Sequence, residues 1–156
     1  MKRVILVLLF VSLSVSSGLA LGREDEDRAK LLEHERQKFE KEGDPVSRTK
    51  IGIKISDILL DDVAESVREG KFDDMEHQLT AYAETIQAAH STLVESGRNA
   101  SKKSGGFKEL EIALRKHVRK FEDFARLLNL QKRVPLEKAR DFANGVREKL
   151  LKALFP

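Results

Sequence analysis

Residues 72–93 read FDDMEHQLTAYAETIQAAHSTL, and the spacing of apolar side chains in this stretch decides the fold. Apolar residues recur in it at alternating steps of three and four: Phe72, Met75, Leu79, Tyr82, Ile86, Ala89 and Leu93. Such spacing keeps side chains on one face of an α-helix and is typical of a helix that packs along a partner helix. The stretch therefore predicts one long amphipathic helix.

Three further segments show helical periodicity. Residues 107–128 repeat the alternating steps and predict the fourth helix in chain order, with His117 inside its apolar stripe. A second helix is predicted from about Pro45 to Glu69, with the wide stripe expected of a central helix that contacts several neighbours. A fifth helix is predicted to begin at Pro135, because proline suits the first helical position.

Part of the second helix has an alternative interpretation. Thr49, Ile51, Ile53 and Ile55 alternate with polar or small residues, which is the period of a β-strand. The pattern returns to helical spacing at Ile58, and the sequence offers no second strand with which the first could pair. Helix is the favoured prediction, and a strand is the alternative.

Turn-forming residues divide the chain into segments. Gly43-Asp44-Pro45 ends a weakly amphipathic first helix and supplies an N-cap for the next, and Gly70 is expected to cap the second helix at its C-terminus. The predicted class is all-α: an antiparallel helical bundle of four long helices in two hairpins, plus a marginal N-terminal helix, preceded by a signal peptide. The segments are 1–22 (signal peptide), 23–44 (charged N-terminal helix), 45–95 (acidic helical hairpin), 96–106 (Gly/Ser-rich linker) and 107–156 (basic helical hairpin).

The first 22 residues have the pattern of an export signal. Lys2 and Arg3 precede an apolar run over residues 4–11, and small residues follow near Ala20 and Gly22, either of which is a candidate cleavage position. This order is typical of a secretory signal peptide, and the apolar run is too short to span a bilayer. The mature protein is therefore predicted to be exported, periplasmic or extracellular, without a transmembrane span.

The net charge changes when this peptide is set aside. The full chain has 29 basic and 26 acidic residues, a net charge of +3, and removal of Lys2 and Arg3 leaves +1. A near-neutral exported protein is not expected to bind nucleic acid. The remaining charge is unevenly placed, since residues 23–95 carry a net −8 and residues 96–156 a net +9. Either the two halves attract each other, or the basic half faces an external anion such as a phospholipid headgroup or an acidic envelope polymer.

The basic half supplies the candidate residues for binding an anion or an acidic partner. Four come from the fourth helix: Arg115, Lys116, Arg119 and Lys120. Four come from the fifth helix and are predicted to lie on its polar face: Arg140, Arg147, Lys149 and Lys152. The alternative is that these residues form a solvated face or pair with the acidic hairpin.

The sequence contains no recognisable catalytic or metal-binding motif. The chain has no Cys, which excludes disulfides, thiolate metal sites and cysteine nucleophiles. His77 follows Asp73 and Asp74 on one face of a helix, where the three side chains could hold a cation. The favoured interpretation is an acidic first turn with a nearby histidine, which is a commoner arrangement. His117 is interpreted as a core histidine with a hydrogen-bond partner, the alternative being a buried pH-sensitive site. No cofactor, catalytic residue or metal ligand is predicted.

One hairpin is similar to a tetratricopeptide unit. Gly70-Lys71-Phe72 at its turn resembles the glycine-x-aromatic that opens the second helix of such repeats, although Met75 and Tyr82 stand where that family has small residues. The whole chain, with its N-terminal export pattern and two hairpins, resembles exported all-helical proteins of bacteria. That likeness implies an envelope location and no particular activity.

These observations favour a non-enzymatic exported helical interaction or scaffold module. The expected partner is another envelope protein or a second copy of the chain. The alternative function is peripheral binding to an anionic membrane or envelope polymer through the basic C-terminal hairpin. A small metal-binding protein or enzyme that uses His77 or His117 is the third hypothesis.

Overall fold

The computed structural model describes the backbone of residues 17–156 and the side chains of residues 25–156. Over this range the chain is all-α, as predicted, with five helices and no strand. The strand alternative for residues 49–55 is wrong, because all of them lie inside one helix. The helices are α1 (Ser17–Lys41), α2 (Pro45–Glu69), α3 (Phe72–Glu95), α4 (Phe107–Arg126) and α5 (Leu130–Leu154).

The ends of α2 follow from the chemistry of its flanking residues. The backbone N–H of Ser47 donates to Oδ2 of Asp44 at 2.8 Å, so Asp44 is the N-cap and Pro45 the first helical residue, as predicted. At the other end Gly70 has a φ of 70°, the left-handed conformation that glycine adopts without steric cost. Both connections of α2 are therefore tight turns.

Helix α2 lies at the centre of the helix packing. It packs against α1, α3 and α4, while α5 packs against α3 and α4, and within the described range α1 contacts only α2. Because each apolar stripe is covered by other helices, packing supplies the stability that an isolated helix of this length lacks in water. The stripes of α2 to α5 meet in one core, which includes Leu60, Val63, Met75, Tyr82, Ile86, Leu93, Leu110, Leu114, Phe121, Leu136 and Leu150.

Helices α1 and α3 both approach α2 closely at Gly52. A Cβ atom at this buried position would lie 3.1 Å from Cε2 of Phe39 in α1 and 3.1 Å from Cβ of Ala89 in α3. Any larger side chain at residue 52 would therefore press on both neighbours. The missing side chain of Gly52 sets how closely the three helices pack.

Helix α1 begins earlier than the predicted charged helix of residues 23–44. Residues 17–22, which belong to the predicted signal peptide, form its first turns, and residues 1–16 lie outside the described residues. Phe39 packs against the core, and Glu35, only 3% exposed, accepts a hydrogen bond from Nζ of Lys54 in α2 at 2.7 Å. This hydrogen bond from Lys54 lowers the pKa of the Glu35 carboxyl.

The start of α5 differs from the prediction. The helix begins at Leu130 rather than at Pro135, and the connection from α4 is reduced to residues 127–129. The side chain of Asn129 accepts a hydrogen bond from the backbone N–H of Lys132 at 3.1 Å and caps the helix. Pro135 therefore lies inside α5, where it lacks the N–H for a helical hydrogen bond. Two signals for a helix start compete here, and the N-cap prevails.

The predicted Gly/Ser-rich linker, residues 96–106, is a loop that packs against the core. Ala100 is 5% exposed, and Oδ1 of Asn99 accepts a hydrogen bond from the backbone N–H of Lys102 at 3.1 Å. The last residue of the loop, Gly106, has a φ of 86°, and its N–H donates to Oε2 of Glu109 at 2.7 Å. These hydrogen bonds stabilise the loop that joins α3 to α4.

Candidate functional site

Three large apolar side chains are exposed where α4 is joined to α5. Leu127 is 69% exposed, Leu130 77% and Val134 44%. Leu130 and Val134 lie one turn apart on α5 and share a face, and Leu127 precedes them in the connection. We call these three residues the apolar turn surface. Single exposed leucines are common, but several large apolar side chains at one turn are typical of a contact site.

Basic residues border the apolar turn surface. Residues 126–134 contain three basic residues and no acidic one. Arg126 pairs with Asp123 at the surface, and Nζ of Lys132 lies 4.4 Å from the centre of the Phe72 ring. The contact with Phe72 places the α2–α3 turn at the same end of the molecule. A partner for this end would need apolar side chains flanked by carboxylates.

The eight basic residues predicted to bind an anion or partner do not form one surface. Four of them already have carboxylate partners: Arg115 and Arg147 with Glu111, Lys120 with Asp61, and Arg140 with Asp141. The other four are exposed and form no ion pair with the side chains of residues 25–156: Lys116, Arg119, Lys149 and Lys152.

The angular spacing of residues on α5 explains this separation. Side chains two residues apart on a helix point about 200° apart. Arg147 consequently faces α4, where it meets Glu111, while Lys149 lies beside His90 of α3. Arg147, which was predicted to lie on the polar face of α5, has a side chain that is 23% exposed and paired with Glu111.

Bases on α4 face acids on α2. Nζ of Lys120 lies 3.4 Å from Oδ1 of Asp61, and Lys116 lies near Asp57. The Lys120–Asp61 ion pair and the proximity of Lys116 to Asp57 both link the basic half of the chain to the acidic half. Exposed ion pairs contribute little stability individually, but they favour the interpretation that the two halves attract each other.

His117 is buried at the junction of three helices. It is 1% exposed, its Nδ1 lies 3.0 Å from Oη of Tyr82 in α3, and its Nε2 lies 3.0 Å from Oδ1 of Asp57 in α2. A carboxylate only accepts hydrogen bonds, so Nε2–H donates to Asp57. In the tautomer that carries its proton on Nε2, Nδ1 accepts a hydrogen bond from the Tyr82 hydroxyl. The prediction of a core histidine with a hydrogen-bond partner is confirmed.

Burial and hydrogen bonding set the charge states of Tyr82 and Asp57 in this cluster. Burial raises the pKa of the Tyr82 hydroxyl well above its ordinary value, so the phenol remains a donor. The hydrogen bond from His117 lowers the pKa of the Asp57 carboxyl, and the nearby Lys120 and Lys116 add to that effect. Because protein groups from α2 and α3 occupy both ring nitrogens of this α4 residue, the cluster joins three helices.

The other histidines are dispersed. His77 is exposed on α3, close to the exposed Asp73 and Asp74. Partial burial lowers the pKa of His90, and the nearby Lys149 acts in the same direction. Within the described side chains, no three His, Asp or Glu residues are grouped so as to hold a metal ion. In the same part of the chain, no helix has both the length and the hydropathy needed to cross a bilayer.

Two buried carboxylates were missed by the sequence patterns. Glu111 is 7% exposed and Glu35 is 3% exposed. The spacing of Glu111 and Arg115, four residues apart on a helix, is the one local signal that points to Glu111. Asp57 has no such signal, because its partner His117 follows 60 residues later.

No family model matches this chain, and no curated protein or solved structure matches it significantly. The resemblances to a tetratricopeptide hairpin and to exported helical proteins of bacteria stay predictions from the sequence.

Proposed function

We propose that this chain is an exported, non-enzymatic helical interaction module of the bacterial envelope. After loss of a signal peptide, the α2–α3 and α4–α5 hairpins form an antiparallel bundle that presents the apolar turn surface to a partner protein. The observation that carries the proposal is the exposure of Leu127 and Leu130, at 69% and 77%. Covering such side chains with a partner releases free energy, about 25 cal/mol for each Å² of apolar surface removed from water.

The chemistry around the surface favours another protein over a second copy of the chain. A two-fold dimer would bring the same patch of both copies together. The three bases of residues 126–134, of which Arg126 is paired with Asp123, would then face the same three bases of the other copy. The proposed partner therefore carries an apolar patch bordered by carboxylates.

A pull-down with a matched control tests this surface. The bait is the chain that begins at Arg23, and the variants are Leu127→Ser/Leu130→Ser and Leu31→Ser, the latter an exposed leucine on α1. We expect one envelope protein to be retained by wild type and by Leu31→Ser but not by the turn variant. Once purified, that protein should bind wild type and Leu31→Ser more tightly than it binds the turn variant.

Two outcomes contradict the proposal. Equal recovery with all three baits means that the apolar turn surface does not bind the partner. A dimer seen by light scattering for wild type, and a monomer for the turn variant, would assign the surface to self-association.

Export is tested separately by cell fractionation. The full chain is expected in the periplasm or the medium, and a chain that lacks residues 2–22 is expected in the cytoplasm. If the full chain stays in the cytoplasm, the proposed envelope location is wrong. The interaction proposal would then be tested with cytoplasmic extract.

Binding to an anionic membrane or polymer is the second candidate function. It is favoured by the four exposed bases that have no ion pair among the described side chains: Lys116, Arg119, Lys149 and Lys152. Sedimentation with anionic vesicles should decrease steeply as salt rises, because exposed charges are screened. Binding that is absent or independent of salt removes this candidate.

A further inference from the structure

A cleft of about 590 Å³ opens between the loop of residues 96–106, the first turns of α4 and the last turns of α5. Clefts of this size are typical of sites for small ligands. It lies at the opposite end of α5 from the apolar turn surface, so it is a separate feature of the molecule. Its two walls differ in chemistry.

One wall of the cleft is cationic and its groups are held in place. Glu111, buried against the cleft, accepts hydrogen bonds from Nε and Nη2 of Arg147 at Oε1, 3.3 and 3.1 Å away, and from Nη2 of Arg115 at Oε2, 3.2 Å away. Lys108 lines the same wall. The cleft lining thus contains three bases and one carboxylate, which leaves an excess of two positive charges.

Arg115 retains more free donors for a ligand than Arg147, whose three guanidinium nitrogens each already donate one hydrogen bond to Glu111 or Asn144. A guanidinium has five N–H groups, and Arg115 directs one nitrogen at Glu111 while about half of its side chain is exposed. Glu111 therefore orients a guanidinium that can bind a second oxyanion. Guanidinium groups match the geometry of carboxylate and phosphate oxygens better than ammonium groups do.

The other wall of the cleft is apolar and comes from the end of α5. Leu151, Leu154 and Phe155 line it, and Leu151 and Phe155 are 37% and 77% exposed. These side chains would be covered by an apolar ligand group that lies along the wall. A ligand that fills both halves must carry an anionic head and an apolar chain.

We propose that this cleft binds the anionic head group and adjoining acyl chain of an amphiphile. Arg115 and Arg147 bind the head-group carboxylate or phosphate, and Leu151 and Phe155 cover the chain. The ligand is either a free amphiphile or a membrane lipid, which share this chemistry. The proposal does not depend on the apolar turn surface.

Calorimetric titration of the chain that begins at Arg23 tests the site. The probes are monomeric decyl phosphate, inorganic phosphate, and vesicles of anionic phosphatidylglycerol. Arg115→Gln should weaken decyl phosphate binding about tenfold, as expected for one charge-assisted hydrogen bond. Arg68→Gln, the same change on an exposed α2 residue that also pairs with a glutamate but lies outside the cleft, should change decyl phosphate binding less than twofold.

A second variant tests the apolar wall and does not depend on the arginine network. Leu151→Ser should weaken decyl phosphate about tenfold, because a leucine-sized contact is lost, and leave inorganic phosphate unchanged. Saturable binding of decyl phosphate identifies a free amphiphile as the ligand. If only the vesicles bind, and the variants rank in affinity as expected for decyl phosphate, the ligand is the head group of a membrane lipid.

The proposal is overturned if no probe binds. It is also overturned if Arg115→Gln and Arg68→Gln weaken binding equally, since that pattern reports net charge and not a site. If Leu151→Ser binds decyl phosphate as tightly as wild type does, the apolar wall is not part of the binding site and the proposed amphiphile is ruled out.

Discussion

The hydroxyl oxygen of Tyr82 and Nδ1 of His117 lie 3.0 Å apart in the core, so one hydrogen bond joins α3 to α4. The two rings also meet edge to face, with their centroids 5.5 Å apart. The contact lies where the α2–α3 hairpin meets the α4–α5 hairpin, and Asp57 extends it toward the surface. Loss of this bond should weaken the packing between the hairpins.

Replacement of Tyr82 by Phe tests the bond. The variant Tyr82→Phe keeps the ring but removes the donor, and Nδ1 of His117 is left as a buried acceptor. An unsatisfied buried polar group costs about 1–3 kcal/mol. We expect the free energy of unfolding to fall by this amount, as measured by urea denaturation followed by circular dichroism.

The double variant Tyr82→Phe/His117→Leu is the control for that measurement. Because both polar groups are then absent, the combined loss should be smaller than the sum of the single losses, with a coupling energy of about 0.5–3 kcal/mol. Strict additivity would show that Tyr82 and His117 do not interact in solution.

Asp57 should make the stability depend on acidic pH. Its pKa in the folded protein lies below the ordinary value of 3.8, chiefly because His117 donates a hydrogen bond to it. As the pH falls, the unfolded chain binds this proton first. The stabilisation is therefore present above pH 3.8 and is lost as the pH falls through the folded-state pKa.

Asp57→Asn isolates this contribution, because Asn keeps an acceptor for Nε2–H and removes the charge. Wild type should be more stable than Asp57→Asn at neutral pH, and the difference in unfolding free energy should shrink as Asp57 becomes protonated. Urea denaturation at a series of pH values measures both. A difference that is the same at every pH would contradict the role of the ionised carboxylate.

Gly106 should not tolerate alanine. Its φ of 86° lies in the left-handed region, and an added Cβ would lie 2.5 Å from Cδ2 of the fully buried Leu93. We expect Gly106→Ala to lower the free energy of unfolding by about 1–3 kcal/mol through backbone strain. Thermal denaturation measures the loss.

The neighbouring Gly105 offers a matched control. A Cβ there would lie 3.8 Å from Cγ2 of Val46, an ordinary contact distance. Gly105→Ala should therefore change stability by less than about 1 kcal/mol in either direction. Similar losses for the two alanine variants would mean that the strain at Gly106 is not the cause.

Helix α1 should open more readily than the other helices. Among the described residues it contacts only α2, and the hydrogen bond from Lys54 to Glu35 is one of its few polar links to that helix. Elements with few packed neighbours open locally at a lower free energy than the core. Lys54→Ala should therefore speed amide hydrogen exchange in residues 28–41 and leave α3 to α5 unchanged.

Lys50→Ala, an exposed lysine one turn earlier on α2, is the matched control and should leave the exchange of α1 unchanged. Faster exchange throughout the molecule in Lys54→Ala would instead indicate that α1 unfolds together with the core.

The helices and their buried faces were predictable from local pattern. Met75, Tyr82 and Leu93 are fully buried because steps of three and four keep them on one face of α3. The cap at Asp44 was predictable for the same reason, since an N-cap acts within one turn. The start of α5 was mispredicted, because Asn129 and Pro135 are both acceptable local signals and only one of them can begin the helix.

The sequence alone determined that the described chain is helical, which faces are apolar, and that its charge is divided between two halves. Hydrogen bonds and side-chain contacts within a helix join residues about four apart, so this information is local. Only the tertiary structure decided that His117 meets Tyr82 and Asp57, and that Arg147 turns toward Glu111. These contacts join residues on different helices, and the way the apolar stripes pack together determines which of them meet.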